Sequence, residues 1–72
     1  MVNVDKLRGK IVEQRLTADD IAGMLGMSKN TYYRRINDGG GTFTIDEAGL
    51  IAEKLHLTAD EFNAIFFADG VA

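Results

Sequence analysis

Residues 17–36 read TADDIAGMLGMSKNTYYRRI, and the order of hydroxyl, carboxylate, apolar and glycine positions in them decides the fold. Thr17 sets a hydroxyl three residues before Asp20. The hydroxyl can accept from a backbone N–H while the carboxylate reaches back to the chain at Thr17, a capping box that opens a helix. Ile21, Ala22 and Leu25 follow on one face of that helix. Gly26 ends it, because glycine tolerates the left-handed conformation of a C-terminal turn. Ser28 is placed to cap the next helix, in which Tyr32 and Ile36 lie four apart and point the same way. Asp38-Gly39-Gly40-Gly41 breaks that helix. Two short helices joined through Gly26-Met27-Ser28 have the geometry of a steeply crossed pair around a glycine-containing turn.

Outward from this stretch the helical signal continues. Val4, Leu7 and Ile11 recur at three- and four-residue spacing and predict a first helix over about residues 3–14. Thr44-Ile-Asp-Glu47 is a second capping box, with Ile45, Ala48, Ile51, Ala52 and Leu55 on the helix it opens. Thr58-Ala-Asp-Glu61 is a third, leading into Phe62, Ile65 and Phe66. Leu16-Thr-Ala-Asp-Asp-Ile and Leu57-Thr-Ala-Asp-Glu-Phe look like a repeat, but their flanks do not match, so they read as one capping solution used twice. Thr42-Phe-Thr44 is too short for a strand. The expected fold class is all-α: five short helices in one domain spanning residues 1–72.

With 72 residues and 7.9 kDa there is room for one small core, burying roughly 60% of the surface the unfolded chain exposes. Cysteine is absent and His56 is the one histidine, which argues against disulfides, thiolate metal sites, a cysteine nucleophile or a His-rich metal cluster. No apolar run reaches a membrane-spanning length and no secretory leader pattern stands at the start, so a soluble cytoplasmic protein without metal or cofactor is expected. The net charge of −3 argues at first sight against a polyanionic partner. Resolved by position, it divides. Residues 1–36 hold seven cations against four carboxylates, a balance of +3, whereas residues 37–72 hold Lys54 alone against seven carboxylates, a balance of −6. Between Met27 and Asn37 there is no carboxylate.

The stretch quoted above resembles the helix-turn-helix of the phage repressor-like (Cro-type, lambda repressor-like) family, here over about residues 17–37. Ala22 matches its small residue where the two helices pack, Gly26 its turn glycine, and Ile21, Leu25, Met27 and Tyr32 its buried positions. The likeness extends from Leu7-Arg-Gly-Lys-Ile-Val-Glu through Phe43-Thr-Ile-Asp-Glu and Ile51-Ala-Glu-Lys-Leu to Leu57-Thr-Ala-Asp-Glu-Phe, and is greatest to the short form found in prophage regulators. Two positions depart from the pattern. Ala18 stands where the family often has a glutamine that steadies the helix on a phosphate. Arg35 stands where many members bury an aliphatic chain; Ile36 beside it can supply the core contact, leaving the arginine stem on the surface with its head free. The Gly39–Gly41 connection is also about one residue longer than the subfamily's usual one.

The resemblance implies sequence-specific binding of double-stranded DNA, and the side chains suit it. With Tyr32 and Ile36 inward, Lys29, Asn30, Tyr33, Arg34 and Asn37 face out. Arg or Lys can pair with guanine O6/N7 and Asn with adenine N6/N7 in the major groove. The family's base-reading positions fall on Lys29, Asn30, Arg34 and sometimes Ser28, while Tyr33 can meet a thymine methyl or a phosphate. Phosphate contacts are expected from Thr17 and Asn37 and, at the edge of the site, from Lys6, Lys10, Arg15 and Arg35. Phe62, Ile65, Phe66, Phe67 and Val71 exceed what a small core needs, and the adjacent Phe66 and Phe67 cannot both face it. The surplus fits either a homodimer through the C-terminal helix or a terminal helix folded tightly on the body. Family dimers set two recognition helices roughly 34 Å apart, which demands a palindromic operator.

Other chemistry is poorly supported. His56 has no second ligand beside it and suits the C-terminus of a helix. The pairs Asp19/Asp20 and Asp60/Glu61 belong to capping boxes, and Gly39-Gly40-Gly41 lacks the Lys-Ser/Thr of a phosphate loop. An enzyme is therefore not expected. The expected function is a phage- or prophage-type transcriptional repressor. The alternative is a protein-interaction module, such as an antirepressor or regulatory subunit, docking through its acidic half.

Overall fold

The computed structural model describes residues 2–38 and 43–67, and five helices lie within them: α1 Val4–Glu13, α2 Ala18–Met24, α3 Lys29–Asn37, α4 Ile45–Leu55 and α5 Ala59–Phe66. No strand occurs among the described residues. The fold class is all-α. The Gly39–Gly41 loop and Val71 lie outside the described residues.

All three capping boxes form. At each of Thr17, Thr44 and Thr58 the hydroxyl accepts from the backbone N–H three residues on, and the carboxylate there accepts from the threonine N–H. Asn3 and Ser28 cap α1 and α3 with a side-chain oxygen alone. Carboxylates occupy the first turns of α1 (Asp5), α2 (Asp19, Asp20), α4 (Asp46, Glu47) and α5 (Asp60, Glu61), while the first turn of α3 has none.

The helix exits share a second device. After α1, α2 and α4 one residue takes the left-handed conformation: Arg15 at φ 60°, Gly26 at φ 72° and His56 at φ 54°. Each is followed by an apolar residue whose N–H returns to a carbonyl five positions back: Leu16 to Ile11, Met27 to Ala22 and Leu57 to Ala52, all at 3.0 Å. This is the Schellman arrangement, which satisfies carbonyls the helix end would otherwise leave unpaired. A threonine or serine cap then starts the next helix. Arg15-Leu16-Thr17, Gly26-Met27-Ser28 and His56-Leu57-Thr58 are thus one three-residue connector used three times, and only one copy uses glycine.

Leu7, Ile21, Ile51, Leu55 and Ile65 are fully buried, with Val2, Ile11, Ala22, Tyr32, Ile36 and Ala48 close behind. The expected stripes therefore meet in one core, with Val4, Leu25, Met27, Ala52, Phe62 and Phe66 half-buried and Ile45 outside it. Ile45, at the first position of α4, is 91% exposed, because a residue there projects back past the helix start rather than over the core. Leu25 and Met27, at the turn between α2 and α3, are half-buried and pack against the core. The start of the chain is pinned by the Asn3 N–H donating to the Ile65 carbonyl at 2.7 Å, which draws Val2 into the core.

Two boxes carry a further tie. Lys10 of α1 pairs with the capping glutamate of α5, Glu61, and lies 3.5 Å from Glu13. Arg35 of α3 pairs with the capping glutamate of α4, Glu47, at 2.5 Å. The Lys10 ammonium holds the Glu61 carboxyl below the usual glutamate range, and Glu61 in turn raises Lys10. The Thr44 N–H, and after it Arg35, hold Glu47 down. Burial raises the Tyr32 phenol.

A folded-state carboxyl below 4.5 contributes stability that is complete above that pH and is lost as pH falls through the folded value. The raised Lys10 and Tyr32 contribute stability that is complete below 10.5 and 10.0 respectively and lost as pH rises further. Thermal melts should therefore be most stable at neutral pH, with an acid decline below about pH 4.5. The double substitution Glu47→Gln/Glu61→Gln should flatten that decline; an unchanged acid limb would rule these two carboxyls out as its source.

Candidate nucleic-acid interface

How α3 is seated decides which of its side chains face solvent. Tyr32 and Ile36 are buried, and the Tyr32 ring sits 6.2 Å from Phe43 and 5.9 Å from Tyr33. That anchoring turns Lys29, Asn30, Tyr33, Arg34 and Asn37 outward, all of them exposed. At 100° per residue they cover an arc of about 140°. Tyr33 leaves 41% of its surface open. Ala22, the small residue of α2, is almost fully buried.

A family model described as helix-turn-helix matches residues 7–62, from the first core leucine to the first turn of α5. This chain belongs to the Cro/lambda repressor-like helix-turn-helix family. No curated protein and no solved structure matches it. As a helix-turn-helix regulator it is a DNA-binding protein, and α2 and α3 are the two helices of the motif. Among the described residues, no helix is long and apolar enough to cross a membrane.

Within this helix-turn-helix the predicted contact residues separate into two groups. Lys29, Asn30, Tyr33, Arg34 and Asn37 share the outer face of α3, and Arg15 is exposed at the left-handed exit of α1. The remaining expected contacts are engaged within the protein or lie on another face. The Arg35 head is not free but held by Glu47, both side chains being largely covered. Lys10 is engaged by Glu61 and Glu13. Lys6, one turn earlier, shares a groove with Lys10, Asp60, Glu61 and Ala64, so this pair of lysines faces the acidic start of α5 and not α3. The Thr17 hydroxyl donates to Asp20 Oδ2 at 3.0 Å and accepts from the Asp20 N–H, and Asp19 and Asp20 surround that helix start with negative charge. Ser28 likewise spends its hydroxyl locally, donating to Thr31 Oγ1 at 3.0 Å and accepting from the Thr31 N–H. Lys29 lies 3.6 Å from Asp19, a pair too exposed to hold it firmly.

Arg8 was not among the expected contacts. It lines an apolar groove with Val12, Thr17, Tyr32 and Tyr33, which sets it on the α3 side of the molecule. The signal was available in principle, since Arg8 is off the Leu7/Ile11 stripe on the flank opposite Lys6 and Lys10. Which flank α3 would occupy is not written in that local pattern.

Proposed function

We propose that this protein is a transcriptional regulator of the phage repressor type, which inserts α3 into the major groove of an operator. The observation that carries the reading is the outward arc of α3: two cations, two amides' worth of asparagine and a tyrosine, with no carboxylate, on a helix-turn-helix. Arg34, Lys29 and Asn30 are the base readers, with Tyr33 beside them and Ser28 kept for the turn's own cap. Asn37, Arg15 and Arg8 hold phosphates. Repression follows from occupancy of an operator that overlaps polymerase's site.

A homodimer through α5 suits the same reading. Phe62 stacks on Phe66 at 4.9 Å and meets Phe67 edge-on at 6.0 Å, and Phe67 is 54% exposed. A palindromic operator with half-sites roughly 34 Å apart would match two copies of α3.

Titration of duplex DNA against salt tests the reading. Binding to a duplex selected from a random pool should weaken with a log–log slope of about −0.9 for each phosphate neutralised. Arg8→Ala should reduce the slope's magnitude by about one contact, whereas Lys10→Ala should leave it unchanged. No binding to any duplex at micromolar protein and low salt would favour a protein-interaction module instead.

A further inference from the structure

Arg35 is the cation of α3 that does not face outward. It lies in the last turn of the helix, its side chain 28% exposed, with one guanidinium nitrogen 2.5 Å from Glu47 Oε1. Glu47 is itself immobilised. The same Oε1 accepts from the Thr44 N–H at 2.9 Å, and the Glu47 N–H donates to Thr44 Oγ1 at 3.0 Å. Glu47 is therefore tied to Thr44 twice, once through its carboxylate and once through its own backbone N–H. Tyr32 and Phe43 make the neighbouring aromatic contact between α3 and the chain entering α4. Together they hold the C-terminal half of α3 to the start of α4.

We propose that Arg35 and Glu47 are a positioning pair for DNA reading, which sets the angle at which α3 leaves the body and so the register of Arg34 and Asn37 on the bases. This rests on the reading of α3 as the DNA-reading helix. A bidentate base contact tolerates little misalignment, so a small rotation of the helix costs specificity before it costs phosphate attraction. Arg35 thereby acts without touching DNA, which separates it from the phosphate role its charge and position suggest.

The test uses the full chain, a duplex selected from a random pool and a random duplex of equal length, at temperatures where circular dichroism shows each variant folded. Glu47→Gln keeps an acceptor for the Thr44 N–H, since glutamine serves in a capping box, and removes only the charge. Glu47→Gln and Arg35→Met should each lower operator affinity roughly three- to thirtyfold, and the double variant should be no worse than the weaker single, as for two members of one interaction. Random-duplex affinity should move by less than about twofold and the salt slope should not change, because no phosphate contact is lost. Arg35→Lys, which keeps a cation within reach of Glu47, should retain most of the operator preference. A merely structural role would lower the folded fraction and scale both duplexes alike, leaving their ratio intact. If Glu47→Gln instead strengthens binding to both duplexes while Arg35→Met weakens both and flattens the slope, Arg35 is a phosphate ligand and the proposal falls. An unchanged operator-to-random ratio in both variants overturns it too. Wild-type protein that binds no duplex overturns the DNA reading itself, a result distinct from the other two.

Discussion

Arg34→Ala is expected to lose about 1–3 kcal/mol of operator affinity, roughly five- to 150-fold, and to relax preference at one base position. Arg34 is exposed on the outer arc of α3 and makes no ion pair among the described residues. Its planar fork matches the two acceptors guanine presents in the major groove, a fit that a lysine cannot reproduce with two donors in fixed geometry. Arg34→Lys should therefore recover the electrostatic part of binding and only part of the discrimination. The measurement is a competition titration against operators altered one base at a time. A uniform loss across all of them would make Arg34 a phosphate contact, and no loss at all would remove it from the interface.

Ile21→Ala is expected to cost about 2–5 kcal/mol of stability. Ile21 is fully buried in α2, and nothing in so small a core can close over the space its side chain leaves. A chain of 72 residues has a total stability of roughly 4–11 kcal/mol, so this single truncation removes a large share of it. At roughly 4–8 °C per kcal/mol for a domain of this size, the melting temperature should fall by about 8–40 °C. Ile45→Ala is the matched control. It deletes the same atoms from a residue that is 91% exposed, and should move stability by less than about 0.5 kcal/mol. Melts of the two variants that fell together, or in reverse order, would contradict the core described above.

Ile45 also marks where the linear pattern stops being informative. It has the right spacing to share a face with Ala48, Ile51 and Leu55, but at the first helical position no preceding turn exists for it to cover. Elsewhere local chemistry was readable. Thr17, Thr44 and Thr58 announce three helix starts by a hydroxyl and a carboxylate three apart, and all three boxes form. Of the exits, Gly26 was legible as a left-handed turn and His56 only as a residue suited to a helix C-terminus. Arg15 and His56 adopt the same left-handed turn as Gly26, with Leu16 and Leu57 in the place of Met27, and neither residue type advertises it. For the interface, the outer face of α3 could be read from Tyr32 and Ile36 alone. The ties that engage Lys10 and Arg35 within the protein could not. Glu61 and Glu47 stand 51 and 12 residues away in the chain, and their nearness is a product of helix packing, not of spacing.

The acidic first turns have a consequence for how the molecule meets a polyanion. A helix start carries roughly half a positive charge, which attracts phosphate unless something cancels it. In α1, α2, α4 and α5 the chain's own carboxylates do so: Asp5, Asp19 and Asp20, Asp46 and Glu47, Asp60 and Glu61. In α3 the cap is the neutral Ser28 and the next residue is Lys29. Four of the five helix starts among the described residues thus repel a phosphate chain through their own carboxylates, and the start of α3 carries none of its own. On the proposed reading of α3, wrong-way encounters are then disfavoured by the ordinary business of starting helices, and an overall acidic protein can still offer DNA a favourable direction of approach.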